Sequence, residues 1–133
     1  MPEFELNPDI VRSIIDKMHQ FQSRDQIMLS EVPETASENW SRQMETDYSG
    51  DPYYAELKYI IEDLEPDQQV ALVALMWVGR GNYSIGEWDR AREEAEEAWT
   101  EYTADYLIGT PLLSDYLADA LDQFETWEDD EEE

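Results

Sequence analysis

The chain has 133 residues, and its 34 acidic against 8 basic side chains give a formal net charge of −26. This length suits a single domain with one hydrophobic core, and the charge disfavours direct binding to a phosphate backbone. Because 41% of the residues are hydrophobic and cysteine is absent, we exclude wholesale disorder, disulfides and thiolate metal sites.

The first predicted helix starts at Pro8, where Asn7 supplies an N-cap. Its apolar residues recur at helical spacing and are Ile10, Ile14, Met18 and Phe21. Residues 30–50 are polar and interrupted by proline, serine and glycine, so we predict a long connection there. Within this connection, Trp40 and Met44 are spaced for one short packed turn.

Two further helices are predicted between residues 51 and 78. Asp51 and Pro52 repeat the cap signal before the second helix, and its apolar stripe comprises Tyr54, Leu57, Ile61 and Leu64. Pro66 opens the third helix, which contains "VALVALMWV" and is apolar on almost every side. A helix of this kind belongs at the centre of a bundle, surrounded by the others.

The loop after the third helix is predicted chiefly to be a turn that connects two helices. Gly79 is expected to end the helix in a left-handed conformation, and Gly81 allows a tight turn. Ser84 and Glu87 then have the spacing of a capping box, which satisfies two backbone donors at a helix start.

A ligand site is the alternative for the loop from Gly79 to Gly86. In that hypothesis Arg80 anchors an anionic ligand, with Tyr83 and Trp88 as walls. The loop fits neither a calcium-binding hand nor a phosphate-binding loop, because the required carboxylate and lysine positions are not filled.

The C-terminal part is predicted to form two more helices. The fourth carries Trp88, Ala91, Ala95, Trp99, Tyr102 and Tyr106 on one side. Gly109 is its expected C-cap, and the last helix is lined by Leu113, Leu117, Leu121 and Phe124. Residues 128–133 are predicted to be an acidic, solvated tail. The fold is therefore predicted to be all-α, a compact bundle of about five helices in one domain over residues 1–127.

Two segments, "LVALMWVGRGNYSIGEW" and "TADYLIGTPLLSDYL", resemble a small bacterial family known as domain of unknown function 3775. The resemblance spans about residues 64–121. It implies a compact bacterial helical domain. It implies no reaction and transfers no functional residues, because no activity is assigned to the family.

Charge is distributed unevenly along the chain. After Arg92 there is no Lys or Arg, while residues 93–133 hold 16 carboxylates. The fourth helix is predicted to present a ridge of acidic residues at four-residue spacing, namely Asp89, Glu93, Glu97, Glu101 and Asp105. The last helix adds Asp115, Asp119 and Asp122. Like charges at this spacing cost about 0.2–0.5 kcal/mol per pair, so helix stability does not select them.

We therefore predict a non-enzymatic, acidic interaction module that binds a basic protein surface, with nucleic-acid mimicry as its more specific form. A first alternative is a housekeeping domain whose acidity is an adaptation to salt or solubility. A second is an enzyme or small-anion binder that uses Arg80, Tyr83 and His19, the only histidine. No cofactor, metal or catalytic residue is predicted.

The sequence indicates less about the cellular location and the oligomeric state of the protein than about its fold. The start "MPEFELNPDI" has neither the basic nor the apolar region of a signal peptide, so we expect a cytoplasmic protein. The longest apolar run is about half the roughly 20 residues that a membrane span needs. A homo-oligomer stays open, because the aromatic surplus, which includes Trp40, Tyr53, Tyr54 and Trp127, suits either a core or a dimer face.

Overall fold

The computed structural model describes residues 6–24 and 35–131, and within these ranges it contains seven α-helices and no strand. The helices are α1 (Pro8–Arg24), α2 (Glu38–Asp47), α3 (Pro52–Asp63), α4 (Pro66–Arg80), α5 (Trp88–Ala98), α6 (Thr103–Ile108) and α7 (Leu113–Glu131). A 3-10 turn, Ile85–Glu87, leads into α5. The all-α prediction is confirmed, whereas the expected number of about five helices is too low.

Two predicted N-caps are confirmed by hydrogen bonds. The Asn7 side chain accepts from the backbone N–H of Asp9 at 2.8 Å, and the Asp51 side chain accepts from that of Tyr53 at 2.9 Å. Each cap satisfies a backbone donor that has no partner inside the helix, which is worth about 1 kcal/mol.

The predicted long connection over residues 30–50 contains a helix, so that prediction is wrong for residues 38–47. Ser37 caps α2 by accepting a hydrogen bond from the backbone N–H of Trp40 at 3.2 Å. Trp40 and Met44 are buried, and α2 packs against α6. The serines that suggested a loop act instead as a cap, at Ser37, and as a buried donor, at Ser41.

The predicted fourth helix is two helices, because the chain leaves the helical path between Ala98 and Thr103. The Thr103 hydroxyl donates to the Thr100 carbonyl at 2.7 Å and accepts from the Thr100 N–H at 3.1 Å. The Thr100 hydroxyl accepts from the Tyr102 N–H at 3.0 Å. Threonine side chains thus offer the backbone partners that compete with a continuous helix.

The last helix extends past its predicted end. Its buried side is as predicted, with Leu113, Leu117, Leu121 and Phe124 in the core. Because no glycine or proline follows Leu113, nothing in the sequence stops the helix before Glu131. The acidic tail is therefore wrong for residues 128–131, and residues 132–133 lie outside the described part. That residues 1–127 form a single domain stays a prediction.

The central position predicted for the third helix is confirmed for α4. Every residue from Gln69 to Met76 is buried, and so is Val78. This helix packs against α5, α6 and α7, while α1 packs against α3 and α7. A helix that is apolar on nearly all sides requires neighbours of this kind on several sides.

The two glycines at the end of α4 have different roles from those predicted. Gly79 lies inside the helix, and a Cβ atom there would be 1.8 Å from the Tyr116 carbonyl oxygen of α7. Gly81 is the C-cap, with a left-handed φ of 95°. The expected helix end at Gly79 is wrong, because this glycine serves a close helix–helix approach while Gly81 supplies the left-handed turn.

Gly109 is confirmed as the residue that ends α6, and it also fixes α2 in place. A Cβ atom at Gly109 would be 2.5 Å from the Trp40 indole ring. The Trp40 Nε1–H donates to the Asp105 carbonyl at 3.0 Å. The absent side chain at Gly109 therefore lets Trp40 lie against the end of α6.

Candidate functional site

The predicted acidic ridge is exposed on α5, but it is shorter than expected. Asp89, Glu93 and Glu97 lie on the side of the helix opposite Ala91 and Ala95, which are buried where α5 packs on α4. A four-residue step along a helix rises about 6 Å, so these three carboxylates span about 12 Å along the axis.

The other two predicted members of the ridge lie beyond α5. Glu101 is exposed in the turn between α5 and α6. Asp105 lies on α6 and is only 1% exposed. The prediction that Asp105 belongs to an exposed partner-binding ridge is wrong, because the break at Thr100 starts a new helix whose residues face the interior.

The three acidic residues predicted on the last helix are exposed. They are Asp115, Asp119 and Asp122, and Asp119 accepts a hydrogen bond from the Gln123 side chain at 3.1 Å. We define the exposed acidic set as Asp89, Glu93, Glu97, Glu101, Asp115, Asp119 and Asp122. Their role in partner binding stays a prediction.

Ion pairs neutralise carboxylates elsewhere, but not in the exposed acidic set. Lys17 pairs with Glu56 at 2.6 Å, and Arg42 pairs with Glu38 at 3.3 Å. Arg12 pairs with carboxylates of α1 and α7 outside the set, at Asp9 and Glu125. Within the described residues, no Lys or Arg forms an ion pair with a member of the set.

Asp105 is the centre of a buried hydrogen-bonded cluster that joins α2, α3 and α6. Its Oδ1 accepts from the Tyr54 hydroxyl at 2.6 Å. Its Oδ2 accepts from the Ser41 hydroxyl and lies 3.1 Å from the Lys58 ammonium. Lys58 also pairs with Glu45 at 2.8 Å, nearer the solvent. Both oxygens of the buried carboxylate thus have donors, as a charge inside a protein requires.

In the Asp105 cluster, which consists of Asp105, Tyr54, Ser41, Lys58 and Glu45, the Tyr54 hydroxyl and the Lys58 ammonium keep their protons at neutral pH. Burial raises the pKa of the Tyr54 hydroxyl, and the neighbouring carboxylate raises it further. Burial opposes the charged form of Lys58, but hydrogen bonds with Glu45 and Asp105 outweigh it and raise the pKa of this ammonium. The hydrogen bond and charge of Lys58 lower the pKa of the Glu45 carboxyl. These directions favour a structural cluster over acid–base chemistry near pH 7.

Alkaline pH is expected to destabilise the protein through this cluster. In the unfolded chain Tyr54 and Lys58 lose their protons above about pH 10, whereas the folded cluster retains them. Unfolding therefore releases protons, and the unfolding free energy falls as pH rises, by up to about 1.4 kcal/mol per pH unit for each group. Urea unfolding measured above about pH 10 should show a shallower fall for Tyr54→Phe. Equal slopes for the variant and the wild type would contradict this prediction.

The glycine loop borders an open cleft that contains two arginines. Arg80 and Tyr83 line the cleft of about 460 Å³, as the ligand-site hypothesis requires, and Arg90 of α5 lines it as well. Glu87 and Glu94 also lie in its wall. Among the described residues of the wall, two carboxylates therefore balance the two guanidinium groups, which leaves no excess of positive charge to select an anion.

Trp88 is not a wall of this cleft, so that prediction is wrong. It is 1% exposed and packs edge-on against Phe124 of α7, with ring centroids 4.8 Å apart. The aromatic wall is formed instead by Trp77, whose ring stacks with Tyr83 at 6.1 Å. Trp88 is the first residue of α5, directly after the confirmed capping box of Ser84, and its spacing places it on the buried side of that helix with Ala91 and Ala95.

The hypothetical enzyme site is not assembled around the cleft. His19 is exposed on α1 and is not among the residues that line the cleft with Arg80 and Tyr83. Among the described residues, no three acidic or histidine side chains are grouped so that they would hold a metal ion. None of the described helices combines the length and the apolar character needed to cross a membrane.

A family model described as Protein of unknown function (DUF3775) matches residues 54–126, which is more than half of the chain. The chain belongs to this family. The predicted resemblance is thereby confirmed, and the match extends beyond residues 64–121 at both ends. Neither the curated proteins nor the solved structures gave a match. The DUF3775 region includes the whole exposed acidic set and three members of the Asp105 cluster.

Within the DUF3775 region, the sequence contains a signal for the Asp105 cluster that periodicity alone overlooks. Asp105 interrupts the apolar run "ADYLI", and a carboxylate inside such a run needs buried partners. Lys58, one of only two lysines, lies four residues after Tyr54 and so shares a face of α3 with it. Ser41 precedes the DUF3775 region, and no local pattern identified it as a partner.

Proposed function

We propose that the protein is a non-enzymatic interaction module whose exposed acidic set binds a basic surface of another protein. The observation that supports this function is that the set's carboxylates are exposed on two helices and a turn, without an ion pair to any described Lys or Arg. Carboxylates arranged in this way repel one another and attract cationic groups.

The α5 ridge is not needed for the packing of the core. Asp89, Glu93 and Glu97 point away from the alanines that contact α4, and each like-charged pair costs about 0.2–0.5 kcal/mol. Lys or Arg side chains of a partner would convert this repulsion into attraction. Charges at the rim of an interface mainly raise the association rate and make binding sensitive to salt.

The short length of the acidic ridge on α5 indicates the size of the basic segment that it would bind. Three carboxylates over about 12 Å suit a short basic segment or helix. Nucleic-acid mimicry is the more specific form of the proposal, and it additionally requires that Asp115, Asp119 and Asp122 take part in contacting the same partner. A basic partner that also binds nucleic acid would then be released by competing duplex DNA.

Removing three charges from the set is expected to weaken binding to a basic peptide. We expect the triple variant Glu93→Gln, Glu97→Gln, Glu101→Gln to bind an immobilised arginine-rich peptide about tenfold more weakly than the wild type. The size follows from three exposed pairs at roughly 0.2–1 kcal/mol each. Surface plasmon resonance at low salt measures the two affinities.

The matched control removes three exposed charges elsewhere. Asp47→Asn, Glu62→Gln and Asp63→Asn change the net charge equally, and these residues lie at the ends of α2 and α3. The control variant is expected to lose clearly less affinity than the triple variant. Equal losses would show a general attraction to the net charge, which contradicts a localised site and favours the solubility hypothesis.

A further inference from the structure

A largely apolar cavity of about 330 Å³ lies where α4, α5 and α6 meet. Its walls include Trp77 of α4, Ala95 of α5, Tyr106 of α6 and Trp99 from the turn after α5. None of the lining residues in the described part of the chain is charged, although the chain has 34 acidic side chains. It is distinct from the exposed acidic set, and among the described residues it shares only Trp77 with the Arg80 cleft.

One buried donor in the cavity wall has no acceptor in the described part of the chain. Tyr106 is 5% exposed, and its hydroxyl oxygen accepts from the Trp77 Nε1–H at 3.0 Å. Because Trp77 is the donor in that bond, the hydroxyl hydrogen of Tyr106 still needs an acceptor. Native proteins rarely leave a buried donor unsatisfied without a ligand or water beside it.

Three other polar side chains of the wall, those of Trp99, Thr100 and Thr103, already donate to the protein. The Trp99 indole donates to the Gln69 side chain at 2.8 Å. The Thr100 hydroxyl donates to the Ala36 carbonyl at 2.6 Å, and the Thr103 hydroxyl donates to the backbone of the same turn. The Tyr106 hydroxyl thus differs from its buried and half-buried neighbours in having a hydrogen to offer.

We propose that this cavity binds a small, neutral, planar molecule that carries one hydrogen-bond acceptor. The acceptor receives the Tyr106 hydroxyl hydrogen, while the apolar faces contact the indoles of Trp77 and Trp99. The volume lies at the lower end of small-molecule sites and is about twice that of a cavity that holds one benzene, so one or two fused rings fit. A charged ligand is disfavoured, because the described residues of the wall supply no opposite charge.

Quinoline and naphthalene form a matched pair of probes for this site. They have the same shape, but only quinoline carries an acceptor nitrogen. We expect quinoline to bind the full chain, with shifts of the Trp77 and Trp99 indole N–H signals in proton–nitrogen correlation spectra. We expect Tyr106→Phe to weaken quinoline binding three- to tenfold and to leave naphthalene binding unchanged.

A second variant tests the location independently of Tyr106. Ala98 lines the cavity at the exposed end of α5, so Ala98→Leu narrows it without entering the core. This variant should weaken both probes, and circular dichroism checks that each variant is folded. The proposal is overturned if neither probe binds the wild type, or if Tyr106→Phe affects both probes equally.

Discussion

The variant Asp105→Ala is expected to lose at least about 3 kcal/mol of unfolding free energy, because it breaks a buried ion pair and leaves its partners unsatisfied. The hydroxyls of Tyr54 and Ser41 would lose their acceptor, and Lys58 would lose the partner on its buried side. Each unsatisfied buried hydroxyl costs about 1–3 kcal/mol. Urea unfolding followed by circular dichroism measures the loss.

The outer member of the same cluster provides the control. Glu45 is 58% exposed, and its pair with Lys58 is screened by solvent. We therefore expect Glu45→Gln to cost less than about 1 kcal/mol. An Asp105→Ala variant that lost no more unfolding free energy than Glu45→Gln would contradict the structural role of the cluster.

Gly79→Ala is expected to destabilise the protein by at least about 2 kcal/mol, although alanine ordinarily stabilises a helix interior by up to about 1 kcal/mol over glycine. The added methyl would lie 1.8 Å from the Tyr116 carbonyl oxygen, so α4 and α7 would have to separate. The contact between these two helices is the most extensive in the fold, and the loss should appear as a lower midpoint of urea unfolding.

Gly81→Ala separates this effect from backbone strain. A Cβ atom at Gly81 meets open space, but the residue has a left-handed φ of 95°. Its replacement should cost about 1–2 kcal/mol. A Gly79→Ala variant as stable as the wild type would show that α4 and α7 do not approach as closely as described.

Local signals in the sequence predicted much of the helical framework. The caps at Asn7 and Asp51 and the Ser84–Glu87 capping box act within one turn of chain, so their residues suffice to identify them. The all-round apolar character of α4 likewise identified the central helix. Short-range rules of this kind do not depend on the neighbouring helices.

Contacts between residues far apart in the sequence explain most of the wrong predictions. Gly79 was predicted to end a helix because glycine is common at helix ends. Its actual role, a close approach between α4 and α7, becomes visible only from the position of Tyr116 on α7. Asp105 fitted a ridge of period four, yet the Thr100 turn and the partners Ser41 and Tyr54 place it inside. Neither relation can be derived from spacing within a single helix.

The candidate site was predictable in part. Apart from Glu101, which lies in a turn, the carboxylates that remain in the exposed acidic set followed from helical spacing, since α5 and α7 each expose one side. Trp77 lies three residues before Arg80 on α4, so helical spacing alone indicated that the two are neighbours. Arg90 was missed as a neighbour of Arg80 because it belongs to α5 and meets the end of α4 only in the folded chain. The cavity beside Tyr106 was missed for the same reason.

The most direct test of the proposed function is capture of proteins from a lysate of the source cell. The wild type, the triple variant at Glu93, Glu97 and Glu101, and the matched control would each be immobilised, at about 0.05 M and about 0.5 M salt. We predict that the wild type and the control capture a basic protein at low salt, and that the triple variant or high salt abolishes its capture. Identical captured proteins for all three chains, or none for the wild type at low salt, would contradict the proposal.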